Sequence, residues 1–165
     1  MASAKSATMP DLRKAWVWYG VAAFVVAADQ ASKAAIMAAF KLGEGVALTG
    51  FFNLVFVFNR GAAFSFLAGA GGWQRWFFAV LALAVSAYIV TLLRKHAGQK
   101  LMCTALAMVM GGAIGNVVDR FVHGAVVDFL DVHVADWHWP AFNVADSAIC
   151  IGVVLLLWLQ LRESK

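Results

Sequence analysis

The sequence predicts an all-α integral membrane protein: a four-transmembrane-helix bundle with a small extracytoplasmic β-sheet at the membrane surface. Its 165 residues are 63% hydrophobic and only 13% charged, with a mean hydropathy of +0.80, far above the apolar content of an ordinary soluble domain. The chain also holds four apolar segments of about 20 residues, each long enough to cross a bilayer of about 30 Å. The polar stretches between them are too short for a second folded domain.

The first apolar segment covers residues 15–40 and follows a short polar tail, residues 1–14. A basic flank before an apolar run is also typical of a cleavable signal peptide, and that alternative stays open here. Apolar character resumes after Asp29, however, which favours a full membrane span. Asp29 and Lys33 are four residues apart on one helical face, where they can form an ion pair. We expect a structural or supporting role for this pair, and contact with a substrate is the alternative.

Residues 41–72 have a different composition from the spans. Glycines precede residues 51–58, which are rich in the aromatic and β-branched residues typical of strands. The region is too interrupted for a membrane-spanning helix, so we predict a small β-sheet with its aromatic side chains in the membrane interface. After it, Asn59, Arg60 and Gly61 form a loop that offers hydrogen-bond donors.

The remaining segments alternate between apolar spans and short polar connections. Their predicted boundaries are 73–94 (second span), 95–100 (loop), 101–119 (third span), 120–141 (loop), 142–161 (fourth span) and 162–165 (tail). Gly111 and Gly115 in the third span have a spacing that permits close helix packing. Cys103 and Cys150 lie within apolar spans and are expected to be free thiols.

The basic residues predict the orientation of the bundle. Eight of the thirteen lysines and arginines flank one side, namely Lys5, Arg13, Lys14, Arg94, Lys95, Lys100, Arg162 and Lys165. Because basic flanks stay in the cytoplasm, we expect both termini to be cytoplasmic and residues 41–72 and 120–141 to be periplasmic. The net charge of +4 has the same explanation, so no nucleic-acid partner is expected.

Two aspartates at the outer ends of the third and fourth spans predict a catalytic pair. Asp119 follows Asn116 by three residues, and Asp146 follows Asn143 by three. Residues three apart share a helical face, so each asparagine can orient its aspartate. Ionisable residues inside a membrane are costly, which favours a functional explanation. Two carboxylates that share a site can share a proton and activate water, as in aspartic proteases.

Other chemistries fit the sequence less well. His123, His133 and His138 lie ten and five residues apart, which does not match a zinc protease, so no metal or other cofactor is expected. A serine–lysine nucleophile at Ser32 and Lys33 fails because adjacent helical residues point about 100° apart. A proton-conducting transporter would need charged groups at successive depths, which the inner halves of the second and third spans lack. A purely structural subunit would leave Lys33 as one cation against three carboxylates.

Five motifs occur in order along the chain. They are Asp29-Gln-x-Ser-Lys33, Asn59-x-Gly-Ala-Ala-Phe-Ser65, Gly111-Gly-Ala-x-Gly-Asn-x-x-Asp-Arg120, Val127-Asp-Phe129 and Phe142-Asn-x-Ala-Asp146. Together they resemble the motifs of bacterial lipoprotein signal peptidase, also called signal peptidase II. The resemblance covers residues 15–161, which is nearly the whole chain.

The resemblance implies a membrane aspartic endopeptidase that removes the signal peptide from prolipoproteins. It would cleave the amide bond on the N-terminal side of an S-diacylglyceryl-modified cysteine, without a cofactor, and Asp119 and Asp146 would be its catalytic pair. The implied substrate-binding or supporting residues are Asn59, Gly61, Asn116, Arg120, Asp128 and Asn143. The enzyme is expected to be a monomer in the bacterial inner membrane, with prolipoprotein substrates and membrane lipids as partners and its active site at the periplasmic face.

Helix direction adds one assignment within the predicted pair. Asp119 lies at the carboxyl end of the third span, whereas Asp146 lies in the first turns of the fourth. The helix dipoles therefore favour a protonated Asp119 and an ionised Asp146. We expect Asp146 to take a proton from water and Asp119 to protonate the carbonyl oxygen.

Overall fold

The computed structural model describes residues 12–61 and 71–163. Its elements are helix α1 (Leu12–Ala39), strands β1 (Gly45–Thr49) and β2 (Phe52–Asn59), helices α2 (Trp73–Lys95) and α3 (Lys100–Val122), strands β3 (Val126–Val134) and β4 (Trp137–His138), and helix α4 (Val144–Glu163). In this described part, four helices are long and apolar enough to cross a membrane. The predicted fold class is confirmed.

Helix α3 is the centre of the bundle and packs against α1, α2 and α4. In α3, 61% of the apolar segment is buried, whereas only 17 to 22% is buried in the other three helices. Those three helices therefore have broad faces available to contact lipid. A Cβ added at Gly111 would lie 2.6 Å from the Ala22 carbonyl oxygen of α1, and one added at Gly115 would lie 2.6 Å from Oδ2 of Asp29. The close helix packing predicted from these two glycines is confirmed.

A four-stranded antiparallel sheet in the order β1-β2-β3-β4 covers one end of the bundle. Its first two strands lie within residues 41–72, the region in which the sequence predicts a small sheet. The prediction of a loop over residues 120–141 is wrong, because this segment contains β3 and β4. Strand β3 runs antiparallel to β2 from the Asn59–Val126 pair to the Phe52–Val132 pair. This pairing provides hydrogen-bond partners for the backbone of β3. The aspartates and histidines of the segment are more typical of a polar loop.

Several predicted boundaries also differ from the structure. Helix α3 continues to Val122 instead of ending at residue 119, so Asp119 lies inside the helix. Helix α4 begins at Val144 instead of residue 142, so Asn143 precedes it. Residues 1–11, 62–70 and 164–165, which include part of the predicted tails and of the second motif, lie outside the described residues.

Candidate active site

A cavity of about 640 Å³ lies where α2, α3 and α4 meet the sheet. Six of the eight residues predicted to be catalytic, substrate-binding or supporting line it: Asn59, Gly61, Asn116, Arg120, Asp128 and Asp146. Asn143 lies directly behind this wall and is fully buried. The structure therefore brings together most of the predicted site.

Asp119 is not among the residues that line the cavity. It is only 2% exposed, and both carboxylate oxygens have partners on α1 and β3. Oδ2 lies 2.7 Å from Nζ of Lys33 and accepts a hydrogen bond from the Val127 amide (3.0 Å), and Oδ1 accepts one from Nε2 of Gln30 (2.9 Å). Asp119 thus ties α3 to α1 and to the start of β3. The expectation that it faces Asp146 across the site is not met, because the sequence does not say towards which neighbour this side of α3 points.

Asp128 on β3 lines the cavity together with Asp146. Its Oδ1 accepts a hydrogen bond from Nδ2 of Asn143 (2.7 Å), and its carboxyl group also bonds the Asn59 side chain. Burial raises the pKa of Asp128 to about 7, and the negative charge of Asp146 adds to the rise. The two asparagines and the charge of Lys33 act in the opposite direction. Asp128 can therefore hold a proton near neutral pH.

Asp146 is fixed at the start of α4 by a reciprocal cap with Asn143. The Asp146 amide donates to Oδ1 of Asn143 (2.9 Å), and the Asn143 amide donates to Oδ2 of Asp146 (3.3 Å). The other oxygen, Oδ1, accepts from Nδ2 of Asn116 (2.8 Å). Asn116 thus orients the aspartate of another helix, not Asp119 on its own helix, which corrects the prediction made from spacing.

The predicted ion pair between Asp29 and Lys33 is present, with Nζ and Oδ2 2.8 Å apart and exposures of 0% and 1%. It is part of a larger cluster, because Lys33 also contacts Asp119 and donates to Oδ1 of Asn116 (3.0 Å). Oδ1 of Asp29 accepts from the Ala145 amide on α4 (2.9 Å). One buried cation therefore links α1 to α3, and its partner carboxylate links α1 to α4.

Arg120 joins the sheet to the helices. Its guanidinium donates to the Gly61 carbonyl (3.0 Å) and to the Asn116 carbonyl (3.1 Å) and lies over the ring of Phe78. The Gly61 amide in turn donates to Oδ1 of Asn59 (2.9 Å). These contacts hold the loop after β2 at the cavity wall.

Gln30 and the apolar part of the cavity are not among the site residues predicted from the sequence. Gln30 occurs in the first motif, yet its donor contacts with Asp119, Asp29 and the Gly115 carbonyl depend on how α1 packs against α3. The apolar lining residues include Phe78, Leu81, Val85, Val109 and Ile149. In the sequence they are typical residues of a membrane span, and no local pattern distinguishes them from residues that face lipid.

The fold and the site together define a polytopic membrane enzyme with buried carboxylates at one end of its helix bundle. The chain belongs to the signal peptidase II family, since residues 21–162 match the family model described as signal peptidase (SPase) II. It is therefore a peptidase of the bacterial inner membrane with several membrane-spanning helices.

Relatives of known name and structure agree with this membership. The chain is 58% identical over 146 residues to a lipoprotein signal peptidase of Janthinobacterium sp. (strain Marseille), covering 88% of each chain. It is 59% identical over 148 residues to that of Ralstonia nicotianae, covering 90% of this chain and 86% of the relative. A bacterial membrane enzyme solved by the in meso method at 2.3 Å resolution superposes with a TM-score of 0.81 at 32% identity, covering 90% of both chains.

Proposed function

We propose that this peptidase removes the signal peptide of prolipoproteins by cleaving the amide bond before an S-diacylglyceryl-modified cysteine. The observation that carries the proposal is the cavity shared by Asp128 and Asp146, which has polar groups at one end and apolar helix faces along its sides. Relatives that cover most of the chain are named lipoprotein signal peptidases. A lipid-modified precursor needs both features, a hydrolytic centre and an apolar wall beside it.

The catalytic pair in this proposal is Asp128 and Asp146, in place of the pair Asp119 and Asp146 expected from the sequence. Both proposed residues line one cavity, whereas the oxygens of Asp119 are occupied by Lys33, Gln30 and a backbone amide. Two carboxyl groups in one buried site cannot both ionise easily, which is the condition for one acid and one base.

Asp146 is the base and Asp128 the acid. Asp146 lies at the positive end of the α4 dipole and accepts hydrogen bonds from Asn116 and the Asn143 amide, which favours its carboxylate form. The pKa of Asp128, raised to about 7, allows this group to hold a proton near neutral pH. Asp146 takes a proton from water as the water oxygen bonds to the scissile carbonyl carbon, and Asp128 gives its proton to the carbonyl oxygen. When the C–N bond breaks, Asp146 passes its proton to the leaving amine while Asp128 recovers its own.

The apolar part of the cavity supports lateral entry of the substrate from the membrane. It follows α2 from Phe78 to Val85, about 10 Å along the helix axis, and is closed on the other side by Ile149 and Cys150 of α4. The signal peptide and the acyl chains of the precursor are apolar, so the bilayer delivers them to this face. Contact with membrane lipids is part of the same proposal.

We further propose that both termini are cytoplasmic and that the site faces the periplasm. The basic residues Arg94, Lys95 and Lys100 lie at the α2–α3 turn, at the end of the bundle opposite the sheet. The proposed pair and its hydrogen-bond partners all come from one chain, so a monomer suffices for the reaction.

Purified protein in lipid bicelles tests the proposed function. It is incubated with a precursor peptide carrying a diacylglyceryl-modified cysteine and, separately, with the same peptide unmodified, each with and without a chelator. We expect a shortened product that begins at the modified cysteine, from the lipidated peptide alone and with the chelator present. Equal cleavage of the unmodified peptide would contradict the proposed substrate, and loss of cleavage in the chelator with recovery on adding zinc would contradict the metal-free mechanism.

A further inference from the structure

We propose that Lys33 is a positioning residue for the carboxylate pair and acts through the side-chain amide of Asn116. The inference rests on the proposed function, and it gives Lys33 a role beyond the structural ion pair. Lys33 is 1% exposed and reaches three acceptors: Oδ2 of Asp29 (2.8 Å), Oδ2 of Asp119 (2.7 Å) and Oδ1 of Asn116 (3.0 Å). A lysine ammonium has three N–H donors and no acceptor, so each donor has one partner.

The contact with Lys33 determines how the Asn116 amide is oriented. Oδ1 of Asn116 accepts from Lys33 and, at 3.2 Å, from Nδ2 of Asn143. Its Nδ2 donates to Oδ1 of Asp146 (2.8 Å). If the amide were rotated by half a turn, its NH₂ group would face two donors and its oxygen would face a carboxylate. The two ends of an amide are nearly equal in size, so the partners decide the orientation.

Lys33 thereby controls the pair without touching either carboxylate of it. Without the ammonium, the Asn143 contact at 3.2 Å is the remaining described contact that holds the Asn116 oxygen in place. The same Asn143 amide also donates to Asp128 (2.7 Å), so both acids depend on one pair of asparagines. A rotated Asn116 would withdraw the donor from Asp146 and weaken it as a base.

The charges around the pair make its pH dependence sensitive to Lys33. Besides the two acids themselves, the charged groups that act on the pair are Lys33 and Asp29 on α1 and Arg120 on α3. Lys33 acts to lower the pKa of Asp128, so its removal raises that pKa further. The pH range of activity should then move to more alkaline values, which a packing role alone would not cause.

The test compares Lys33→Arg and Lys33→Met, with Lys100→Met at the cytoplasmic end of α3 as the matched control. Turnover, KM and melting temperature are measured in bicelles from about pH 5 to about pH 9. Met matches lysine in length but cannot donate, whereas Arg keeps a donor-only cation. For Lys33→Met we expect kcat to fall about 100-fold, as for a misplaced catalytic group, with KM little changed and an alkaline shift of the profile. Lys33→Arg should retain more activity than Lys33→Met, and Lys100→Met should match the wild type.

A kcat equal to that of the wild type and an unmoved pH profile in Lys33→Met would overturn the inference. A folded Lys33→Arg variant that is less active than Lys33→Met would also overturn it.

If neither Lys33 variant melts cooperatively, the Asn116→Asp variant tests the inference instead. It keeps acceptors for Lys33 and Asn143 but presents an acceptor to Asp146. Its kcat should fall at about pH 8 and recover, relative to the wild type, as the introduced carboxyl group takes up a proton and becomes a donor. A loss that does not change with pH would overturn the inference, while activity in Asp128→Asn or Asp146→Asn would instead overturn the proposed function.

Discussion

Asp128 and Asp131 lie three residues apart on β3, yet their surroundings shift their pKa values in opposite directions. Burial raises the pKa of Asp128 to about 7. Burial also acts to raise the pKa of Asp131, but hydrogen bonds from Asn53 and His138 and the charge of His138 outweigh it, so the pKa of Asp131 falls. One strand thus carries two carboxyl groups whose pKa values are shifted in opposite directions.

We predict that Asp128→Asn stabilises the protein above about pH 7 and leaves its stability unchanged below about pH 4. The folded pKa of Asp128 is raised, so the native state holds a proton that the unfolded chain has released. Stability from this group is fully present below the unfolded pKa, falls as pH rises to about 7 and stays low above that value. The gain at about pH 8 should reach up to a few kcal/mol, since a tenfold change in proton affinity corresponds to about 1.4 kcal/mol. Melting temperatures in detergent across this pH range measure it.

Asp131→Asn is the matched control, and we expect it to change the stability in the opposite direction. Because the pKa of Asp131 is lowered, its contribution is present above the unfolded pKa and is lost as pH falls through the folded pKa. The variant should therefore melt below the wild type at neutral pH and approach it in acid. Parallel pH dependences in the two variants would contradict the opposite roles of these carboxyl groups.

Isosteric replacement of each aspartate tests whether Asp128 and Asp146 form the proposed catalytic pair and Asp119 supports it. Asp128→Asn and Asp146→Asn should each reduce kcat by about 10²- to 10⁴-fold, because a proton-transferring group is lost. Asp119→Asn keeps an oxygen that can accept from Lys33, so it should retain measurable turnover and mainly lower the melting temperature. Turnover of the lipidated peptide by detergent-purified, monodisperse variants measures this. A folded Asp119→Asn protein as inactive as Asp128→Asn would restore Asp119 to the catalytic pair.

At the scale of elements, the position of α3 depends on glycines that face its neighbours. Gly111 and Gly115 face α1, and Gly112 faces α4 at Ala145. Gly152 of α4 lies against the Ala105 carbonyl of α3 in the same way. Close helix contact in a membrane improves van der Waals packing and allows polar side chains to meet across the interface. Here those side chains are Asp29, Lys33 and Asp119.

Gly115→Ala should disturb this cluster directly. The new Cβ would lie 2.6 Å from Oδ2 of Asp29, the atom that pairs with Lys33, so the pair must move. We expect a loss of about 1 to 3 kcal/mol of stability, typical of overpacking, together with lower activity. Gly20→Ala on α1 is the control, because a Cβ there meets nothing within 4 Å and alanine favours a helix. Melting curves and turnover of both variants provide the comparison, and equal behaviour of the two would show that the contact at Gly115 is not limiting.

At the scale of the whole molecule, the protein divides into a lipid-facing helix bundle and a sheet at one end. In the described part of the chain, the buried charged residues all lie at the sheet end, and the basic α2–α3 turn lies at the other; they are Asp29, Lys33, Asp119, Asp128 and Asp131. Under the proposed function, this arrangement would place the pair Asp128 and Asp146 near water while the substrate stays in the membrane. The proposed orientation rests on the basic residues of the α2–α3 turn, which favour the cytoplasmic side of the membrane.

Labelling of single cysteines tests the orientation in intact cells. In a background in which Cys103 and Cys150 are replaced by alanine, Asp136→Cys near the β3–β4 turn should react with a membrane-impermeant maleimide. Gly98→Cys in the α2–α3 turn should react only after the cells are opened. The reverse pattern would place the termini in the periplasm and contradict the orientation.

The sequence by itself determined the number of spans and the residues gathered at one end of the bundle. The bilayer core holds no water, so the backbone of a spanning segment must form its hydrogen bonds within the protein. An apolar run of about 20 residues therefore forms a helix. The spacing of Asp29 and Lys33 on one helical face likewise sufficed to predict their ion pair, which is local.

The tertiary structure decided which carboxylates share the cavity. Strand β3 forms because it pairs with β2 about 70 residues earlier in the chain, with Asp128 opposite Val57, and no local pattern contains that partner. The carboxylate oxygens of Asp119 contact Lys33 and Gln30, because α1 packs against this side of α3. Helical spacing fixes which residues share a face, whereas the neighbour that this face meets depends on packing between distant segments. For that reason the sequence pairs Asp146 with Asp119, whereas we propose Asp128 as its partner from the cavity that both line.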